Sequence, residues 1–161
     1  MGIDAETLER LRRGVPLRLT AQGEFRWDDG PIAHARVRDA LRAGLDVTED
    51  GEPIVRLGPH WCYLTVDDCI LRVTSVVERD GGPLLRLDDG RAVPLDTATL
   101  WEEPDKGLRC AVPSQGSGRP LPTRFTNTGQ MDLSAWIDLD ADPPALVVGS
   151  TSTPIRSSAP G

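Results

Sequence analysis

The sequence predicts a β-rich α+β fold, with an antiparallel meander of short strands and two amphipathic helices. The chain of 161 residues contains 16 glycines and 14 prolines, which favours many short elements joined by turns. Asp/Gly turns at residues 80–82 and 88–90 separate apolar runs, a pattern typical of adjacent antiparallel strands. Apolar residues that recur every three or four positions over residues 32–45 predict a helix.

The first elements follow from local spacing and turn residues. Leu8 and Leu11 predict a short helix over Asp4–Arg13. Residues 17–20 and 24–27 predict a strand pair, and the helix at 32–45 comes next, with a glycine close to its end as a terminator.

The remaining chain is mostly extended. Gly58-Pro59 predicts a hairpin between strands 53–57 and 60–66, and Asp96 is placed to cap a single helical turn. The Gly/Pro/Ser-rich segment 113–122 predicts a loop that either joins two lobes or forms a mobile flap. The other predicted elements are strands at 69–79, 84–87, 91–95, 108–112 and 145–148 and a second helix at 127–137.

An internal similarity suggests that a helix-turn-strand unit is repeated in two lobes. Shifting the chain by 92 residues aligns Leu41, Ala43, Asp46, Asp50 and Val55 with Leu133, Ala135, Asp138, Asp142 and Val147. Chance similarity between two amphipathic helices is the alternative. We therefore predict an N-terminal lobe at 1–104 (helix plus antiparallel sheet), a C-terminal lobe at 105–148 and a flexible tail at 149–161.

Composition limits the partners and the compartment. The net charge of −7 argues against a nucleic-acid or anionic-membrane surface, because both need a basic face. The three cysteines are an odd count without disulfide-framework spacing. Charged residues occur throughout residues 1–14, so this segment lacks the apolar stretch of a signal peptide. No run in the chain approaches the ~18 apolar residues of a membrane span. We expect a cytoplasmic protein.

Catalytic and metal-binding patterns are weak. His60, Cys62 and Cys69 are the best metal candidates, but the paired Cys-x-x-Cys spacing of zinc sites is missing. The carboxylate pairs Asp67-Asp68 and Asp88-Asp89 are interpreted as turn residues, because neighbours on a strand point to opposite faces. We assign no catalytic residue, no metal and no cofactor, and favour a non-enzymatic protein while leaving a small enzyme as an alternative.

Side-chain alternation predicts one candidate binding face. It places Trp61 and Tyr63 on the same side of the strand that begins at residue 60, with Arg72 on the corresponding side of the next strand. Aromatic rings and a guanidinium together suit ligand or peptide recognition. The alternative is that the helix at 32–45 covers both rings. The other tryptophans are predicted to lie in the core: Trp27, Trp101 and Trp136.

Several short motifs in residues 23–71 carry a family resemblance. They are Gly23-x-x-x-Trp27, Gly30-Pro31-Ile32, Val37 and Leu41, Asp50-Gly51 before Ile54-Val55, and Val66-Asp67-Asp68. With these motifs the segment resembles a bacterial family known as domain of unknown function 1285 (DUF1285). The resemblance implies a two-lobed α+β fold with repeated motifs, a role in ligand binding or signalling, and no established enzyme activity. The chain departs from the family at Cys69-Ile70-Leu71, where the family tends to have Pro-Phe, so no functional residue is carried over.

Three functional hypotheses remain open. The first is a non-enzymatic binding or regulatory module for a small molecule or a protein, which uses the face at Trp61, Tyr63 and Arg72 or the cleft between the predicted lobes. The second is a small enzyme that uses Cys62 or Cys69 with His60, or a carboxylate from Asp67-Asp68. The third is a structural subunit that forms a homodimer through an exposed sheet edge.

Overall fold

The computed structural model describes residues 2–160 of the chain. These residues form three α-helices and sixteen short β-strands, which confirms the β-rich α+β prediction. The chain divides into two compact units. The first contains the residues up to Ile70 together with Pro113–Leu121, and the second contains Leu71–Val112 and the residues from Pro122 onward. The lobes predicted from sequence, 1–104 and 105–148, follow chain order, whereas these units are discontinuous in sequence.

The first unit holds two helices and two small sheets. One sheet has the strand order β3-β2-β1-β7, and the other has the order β4-β5-β6. The elements are α1 Ala5–Arg13, β1 Leu17–Leu19, β2 Phe25–Trp27, β3 Gly30–Pro31, α2 Ala35–Ala43, β4 Leu45–Val47, β5 Pro53–Leu57, β6 His60–Tyr63 and β7 Thr65–Val66.

The predicted strand at 60–66 is in fact two strands. β6 pairs antiparallel with β5, whereas β7 pairs in parallel with β1, where Arg18 lies opposite Thr65. Leu64, between them, is buried. The chain therefore passes from one sheet to the other at Leu64. Because β7 is parallel to β1, the sheet β3-β2-β1-β7 is mixed rather than purely antiparallel.

The two helices of the first unit are anchored differently. The Asp4 carboxylate caps α1 by accepting a 2.8 Å hydrogen bond from the Thr7 amide, but α1 has no buried residue. In contrast, α2 buries Leu41 and packs against β5. It ends at Gly44, whose carbonyl accepts a 2.8 Å hydrogen bond from the Arg56 amide. A Cβ atom on Gly44 would collide with the Arg56 carbonyl, so the approach of helix and strand requires glycine.

The core of the first unit is made of aliphatic side chains around Phe25. One interpretation from the sequence is wrong: Trp27 is 53% exposed, although it was predicted to be a core residue. Trp27 is the last residue of β2 and directly precedes the turn at Asp28 and Asp29. Its position at this turn places the Trp27 side chain outside the apolar interior. The buried hydrophobic residues are Leu17, Leu19, Phe25, Leu41, Leu45, Val47, Ile54, Val55, Leu64, Cys69, Ile70 and Leu121.

The second unit is built on a six-stranded sheet with the order β10-β9-β8-β13-β12-β11, beside a small sheet β14-β15-β16. β13 runs parallel to β8, so the large sheet is mixed. Short 3-10 helices lie at Thr97–Thr99 and Ser134–Trp136. The other elements are β8 Leu71–Arg79, β9 Gly82–Leu87, β10 Ala92–Pro94, β11 Trp101–Glu103, β12 Gly107–Pro113, β13 Pro120–Phe125, α3 Asn127–Leu133, β14 Ile137–Asp138, β15 Ala145–Val148 and β16 Thr151–Pro154.

The predicted meander corresponds to β8, β9 and β10, which pair antiparallel in sequence order. The β8–β9 turn has positive φ at both Asp80 and Gly81 (54° and 84°), as a tight hairpin requires. β11 and β13 have no counterpart among the predicted strands. Within the predicted flexible tail, β16 pairs with β15, where Thr153 lies opposite Leu146.

The structure does not establish the internal repeat. Both α2 and α3 are followed by two antiparallel strands, but the pairing registers differ. Leu45 lies opposite Val55, whereas its counterpart Ile137 lies opposite Leu146, one residue short of the position that a strict repeat requires. The repeated unit therefore stays a prediction. Among the described residues, no helix combines the length and the apolar character needed to cross a membrane.

Candidate functional site

The structure brings together two of the three residues predicted to form a binding face. Trp61 and Tyr63 lie side by side on β6, with ring centroids 5.2 Å apart and the ring planes at 71°. Arg72 lies on β8 in the second unit, where its side chain is 3% exposed. Its Nε atom donates a 2.6 Å hydrogen bond to Oδ2 of Asp88. We interpret Arg72 as a structural residue, because a buried charge is costly to separate from its partner.

The two rings are covered by α1 rather than by the predicted helix at 32–45. The guanidinium of Arg12 lies 3.9 Å from the centroid of the Trp61 ring, and that of Arg13 lies 4.0 Å from the Tyr63 ring. The Tyr63 hydroxyl donates a 2.9 Å hydrogen bond to Oε1 of Glu9, which raises the pKa of Tyr63. The aromatic face is thus occupied by two cations of the same chain.

A second cluster of polar groups surrounds Asp46 of β4, whose side chain is only 1% exposed. Its Oδ1 atom accepts hydrogen bonds from the Ser117 hydroxyl (2.6 Å) and the Val47 amide (2.8 Å). Its Oδ2 atom accepts from Nε of Arg56 (3.0 Å) and from the Ser117 amide (3.2 Å). Four donors therefore converge on one buried carboxylate.

These donors keep Asp46 ionised. Burial by itself raises the pKa of a carboxyl group, but the hydrogen bonds from Ser117, the Val47 amide and Arg56 outweigh it and lower the pKa of Asp46 to about 2. A strongly shifted pKa beside a cavity marks a candidate functional site. At neutral pH the cluster thus holds a buried negative charge paired with a guanidinium.

The segment predicted to be a linker or a mobile flap is fastened to this carboxylate. Besides the two bonds from Ser117, the guanidinium of Arg119 donates a 2.9 Å hydrogen bond to the Val47 carbonyl. The Ser114 hydroxyl oxygen accepts bonds from the amides of Ser117 and Gly118, both at 3.0 Å, and so closes the turn. The loop is an ordered part of the first unit and forms one wall of the site.

An open recess of about 350 Å³ lies beside the cluster. Leu45 and Leu57 and two alanines of α2, Ala40 and Ala43, supply apolar walls, and Arg56 supplies a charged one. The Arg56 side chain is 41% exposed. Among the described residues, its hydrogen bonding is confined to Nε and Asp46, so both terminal nitrogens remain available to a ligand.

The residues considered for an enzyme lie in ordinary structural surroundings. Cys62 is half-buried and burial raises its pKa, whereas Cys69 is buried. Asp67 accepts a 2.7 Å hydrogen bond from Arg18, and Asp89 accepts one of 2.8 Å from Arg91. In the part of the chain that the structure describes, no group of three His, Cys, Asp or Glu residues is arranged to hold a metal ion.

The sequence did not single out Arg56, Ser117 or Asp46 as a site. The available signal was an aspartate between two apolar residues, Leu45 and Val47, in a short extended segment. A charged residue in such a position needs partners when it is buried. Its main partners lie ten and 71 positions away, too far for local spacing to reveal.

The fold defines a class of β-rich α+β proteins, and two solved structures place it among known folds. No protein-family model and no curated protein sequence matches the chain. A DUF1285 family protein from Silicibacter pomeroyi DSS-3 is similar with a TM-score of 0.65 and 12% identity, covering 88% of this chain and 79% of that one. A DUF1285 family protein from Shewanella baltica OS155 has a TM-score of 0.55 and 14% identity, over 71% of this chain and 86% of that one.

These likenesses confirm at the level of the fold the resemblance drawn from residues 23–71. At 12% and 14% identity they show a shared fold alone, and no residue role passes from those proteins to this chain.

Proposed function

We propose that the chain is a non-enzymatic binding module that takes a small organic anion in the recess beside Arg56. The observation that carries the proposal is the fixed guanidinium. Its Nε atom is bound to the buried Asp46, while the Arg56 side chain lines an apolar recess. The ligand class that fits is a carboxylate or phosphate with a short apolar part.

A fixed arginine is a good anion receptor because its orientation is set before the ligand arrives. The planar fork of a guanidinium matches the oxygens of a carboxylate or phosphate and can bind them bidentately. Asp46 accepts a hydrogen bond from Nε of Arg56, and Ser117 in turn donates one to Asp46. The Arg56 side chain is therefore already restrained, so it loses little conformational entropy when a ligand binds.

The size and walls of the recess favour a small ligand. A volume of about 350 Å³ lies at the lower end of the range of small-molecule sites. Ala40, Ala43 and Leu57 would contact the apolar part of the ligand, and burial of that part adds affinity. A second guanidinium, that of Arg119 on the adjoining loop, adds positive charge near β4.

Thermal unfolding and calorimetric titration with named probes test this proposal. We expect 3-methylbutanoate to bind and to raise the Tm, and its neutral amide, 3-methylbutanamide, to do neither. Inorganic phosphate and acetate serve as anions without an apolar part, and they should bind more weakly. If no probe anion stabilises the protein more than the neutral amide does, the proposal fails.

Three variants locate the site. Arg56→Gln removes the charge, and Ala43→Phe adds a large ring at a residue that lines the recess and takes no part in the pair between Arg56 and Asp46. Both should abolish the response to 3-methylbutanoate. Arg36→Gln, which removes an exposed arginine of α2, should respond as the unmodified chain does. Equal binding by all three variants would rule out the recess as the binding site.

A further inference from the structure

We infer that Trp61, Tyr63 and Glu52 form an arginine-recognition surface, which α1 occupies in this structure and which an arginine-bearing helix of a partner protein can take over. The surface is separate from the recess at Arg56, and the inference does not rest on the function proposed above. It is carried by the way in which α1 presents two adjacent arginines to two adjacent rings.

The contacts show what chemistry the surface binds. Arg12 stacks on Trp61, with its guanidinium 3.9 Å from the centroid of the ring. Arg13 stacks on Tyr63 and also forms a bidentate pair with Glu52. Its two Nη atoms donate to the two carboxylate oxygens at 3.1 and 3.3 Å. Stacking on a ring with bidentate pairing to a carboxylate is specific to a guanidinium, and an ammonium group cannot reproduce both.

α1 is held in a way that permits exchange. None of its residues is buried, and Leu11 is 56% exposed on its outer side. Its contacts with the surface are two cation–π stacks, one ion pair and the 2.9 Å hydrogen bond from the Tyr63 hydroxyl to Glu9. The pair between Arg13 and Glu52 is half-exposed on both sides, so salt weakens it. A nine-residue helix is also marginal on its own in water, so α1 can detach and fray without disturbing a core.

Charge favours a basic partner over an acidic or apolar one. The chain carries a net charge of −7, which attracts a cationic segment over a distance. A partner helix has to compete with α1, which only a few residues connect to β1. This short connection gives α1 a high effective concentration at the surface, so weak competitors do not displace it. Removing the arginines of α1 should therefore open the surface.

The test uses the full chain and a peptide probe. The fluorescein-labelled probe has the sequence of residues 2–15, and fluorescence anisotropy measures its binding. We expect Arg12→Ala/Arg13→Ala to bind the probe at least tenfold more tightly than the unmodified chain. A probe with lysine in place of both arginines should bind several-fold more weakly. Adding Trp61→Ala to the double variant should abolish binding.

The matched control is Arg10→Ala, which removes an arginine of α1 whose side chain bonds only to Thr7 among the described residues. It should behave as the unmodified chain does. The inference is overturned if the double variant does not bind the probe, or if the lysine probe binds equally well. It is also overturned if the unmodified chain sediments as a dimer that Arg12→Ala/Arg13→Ala dissociates, since the occupant would then be α1 of a second copy.

Hydrogen exchange on the unmodified chain keeps the inference testable if the double variant does not fold. Amides of α1 should exchange faster than those of β6, and added salt should widen the difference. If α1 amides stay protected until the whole chain unfolds, α1 is a fixed part of the fold and the inference fails.

Discussion

The hydroxyl of Ser117 donates a 2.6 Å hydrogen bond to the buried carboxylate of Asp46, across 71 positions of sequence. This bond fastens the segment Pro113–Leu121 to β4 within the first unit. Ser117→Ala should cost about 2 kcal/mol of unfolding free energy, because a hydrogen bond to a buried charge is worth roughly 1.5–3 kcal/mol. Urea denaturation measures the change. The control Ser134→Ala, at an exposed serine, should change stability by less than about 0.5 kcal/mol.

Asp46 should make the stability depend on pH in the acid range. Its folded-state pKa of about 2 lies below the ordinary value of 3.8, so the folded chain binds this proton less readily than the unfolded chain. The stabilisation is fully present above pH 3.8 and is lost as the pH falls toward about 2. Its size is about 2 kcal/mol, from roughly 1.4 kcal/mol per pKa unit.

Asp46→Asn should therefore lose less stability than the unmodified chain between pH 4 and pH 2, when urea midpoints are compared across this range. The exposed residue Asp50 provides the control, and Asp50→Asn should keep the full acid dependence. Identical pH profiles for Asp46→Asn and the unmodified chain would show that Asp46 is not the source.

Gly44→Ala should destabilise the first unit by about 3 kcal/mol, the upper part of the range for overpacking. The reason is space rather than backbone conformation, since Gly44 has a φ of −92° and its added Cβ would overlap the Arg56 carbonyl. Gly30→Ala is the control, because its Cβ would meet the Trp27 carbonyl at an ordinary 3.5 Å. Equal unfolding free energies for the two variants would contradict the proposed contact.

Arg72→Met should lower the unfolding free energy by about 3 kcal/mol, because it leaves Asp88 without its buried cation. Asp88 would still accept the 3.0 Å bond from the amide of residue 72, so the strand should persist. Arg79→Met, at an arginine that is largely exposed, should cost less than about 0.5 kcal/mol in the same denaturation experiment. A small effect at Arg72 would favour a role of Arg72 in recognition, as predicted from side-chain alternation.

Thiol labelling tests the alternative of a cysteine enzyme. Burial raises the pKa of Cys62, so its reaction with a disulfide reagent at pH 7 should be slow. Cys69 and Cys110 are buried and should react only after unfolding in urea. Rapid labelling of Cys62 in the native chain would return the cysteine hypothesis to consideration.

Local chemistry predicted a large part of the fold. The Asp96 cap, the turn at Asp80-Gly81 and the alternation that sets Trp61 and Tyr63 on one face are all confirmed. Each depends on residues within a few positions of one another. β13 was missed because its Pro120-Leu121-Pro122 start has the composition of a loop, and its pairing with β8 joins residues about fifty positions apart.

The sequence by itself determined the fold class, the meander and the faces of its strands, because turn residues and side-chain periodicity act over short distances. Only the tertiary structure decided which faces are covered. It placed the arginines of α1 on the rings of β6, buried Arg72 against Asp88, and surrounded Asp46 with donors from β5 and the loop at residues 113–121. Burial and long-range pairing arise from the packing of distant segments, which periodicity within any one segment does not encode.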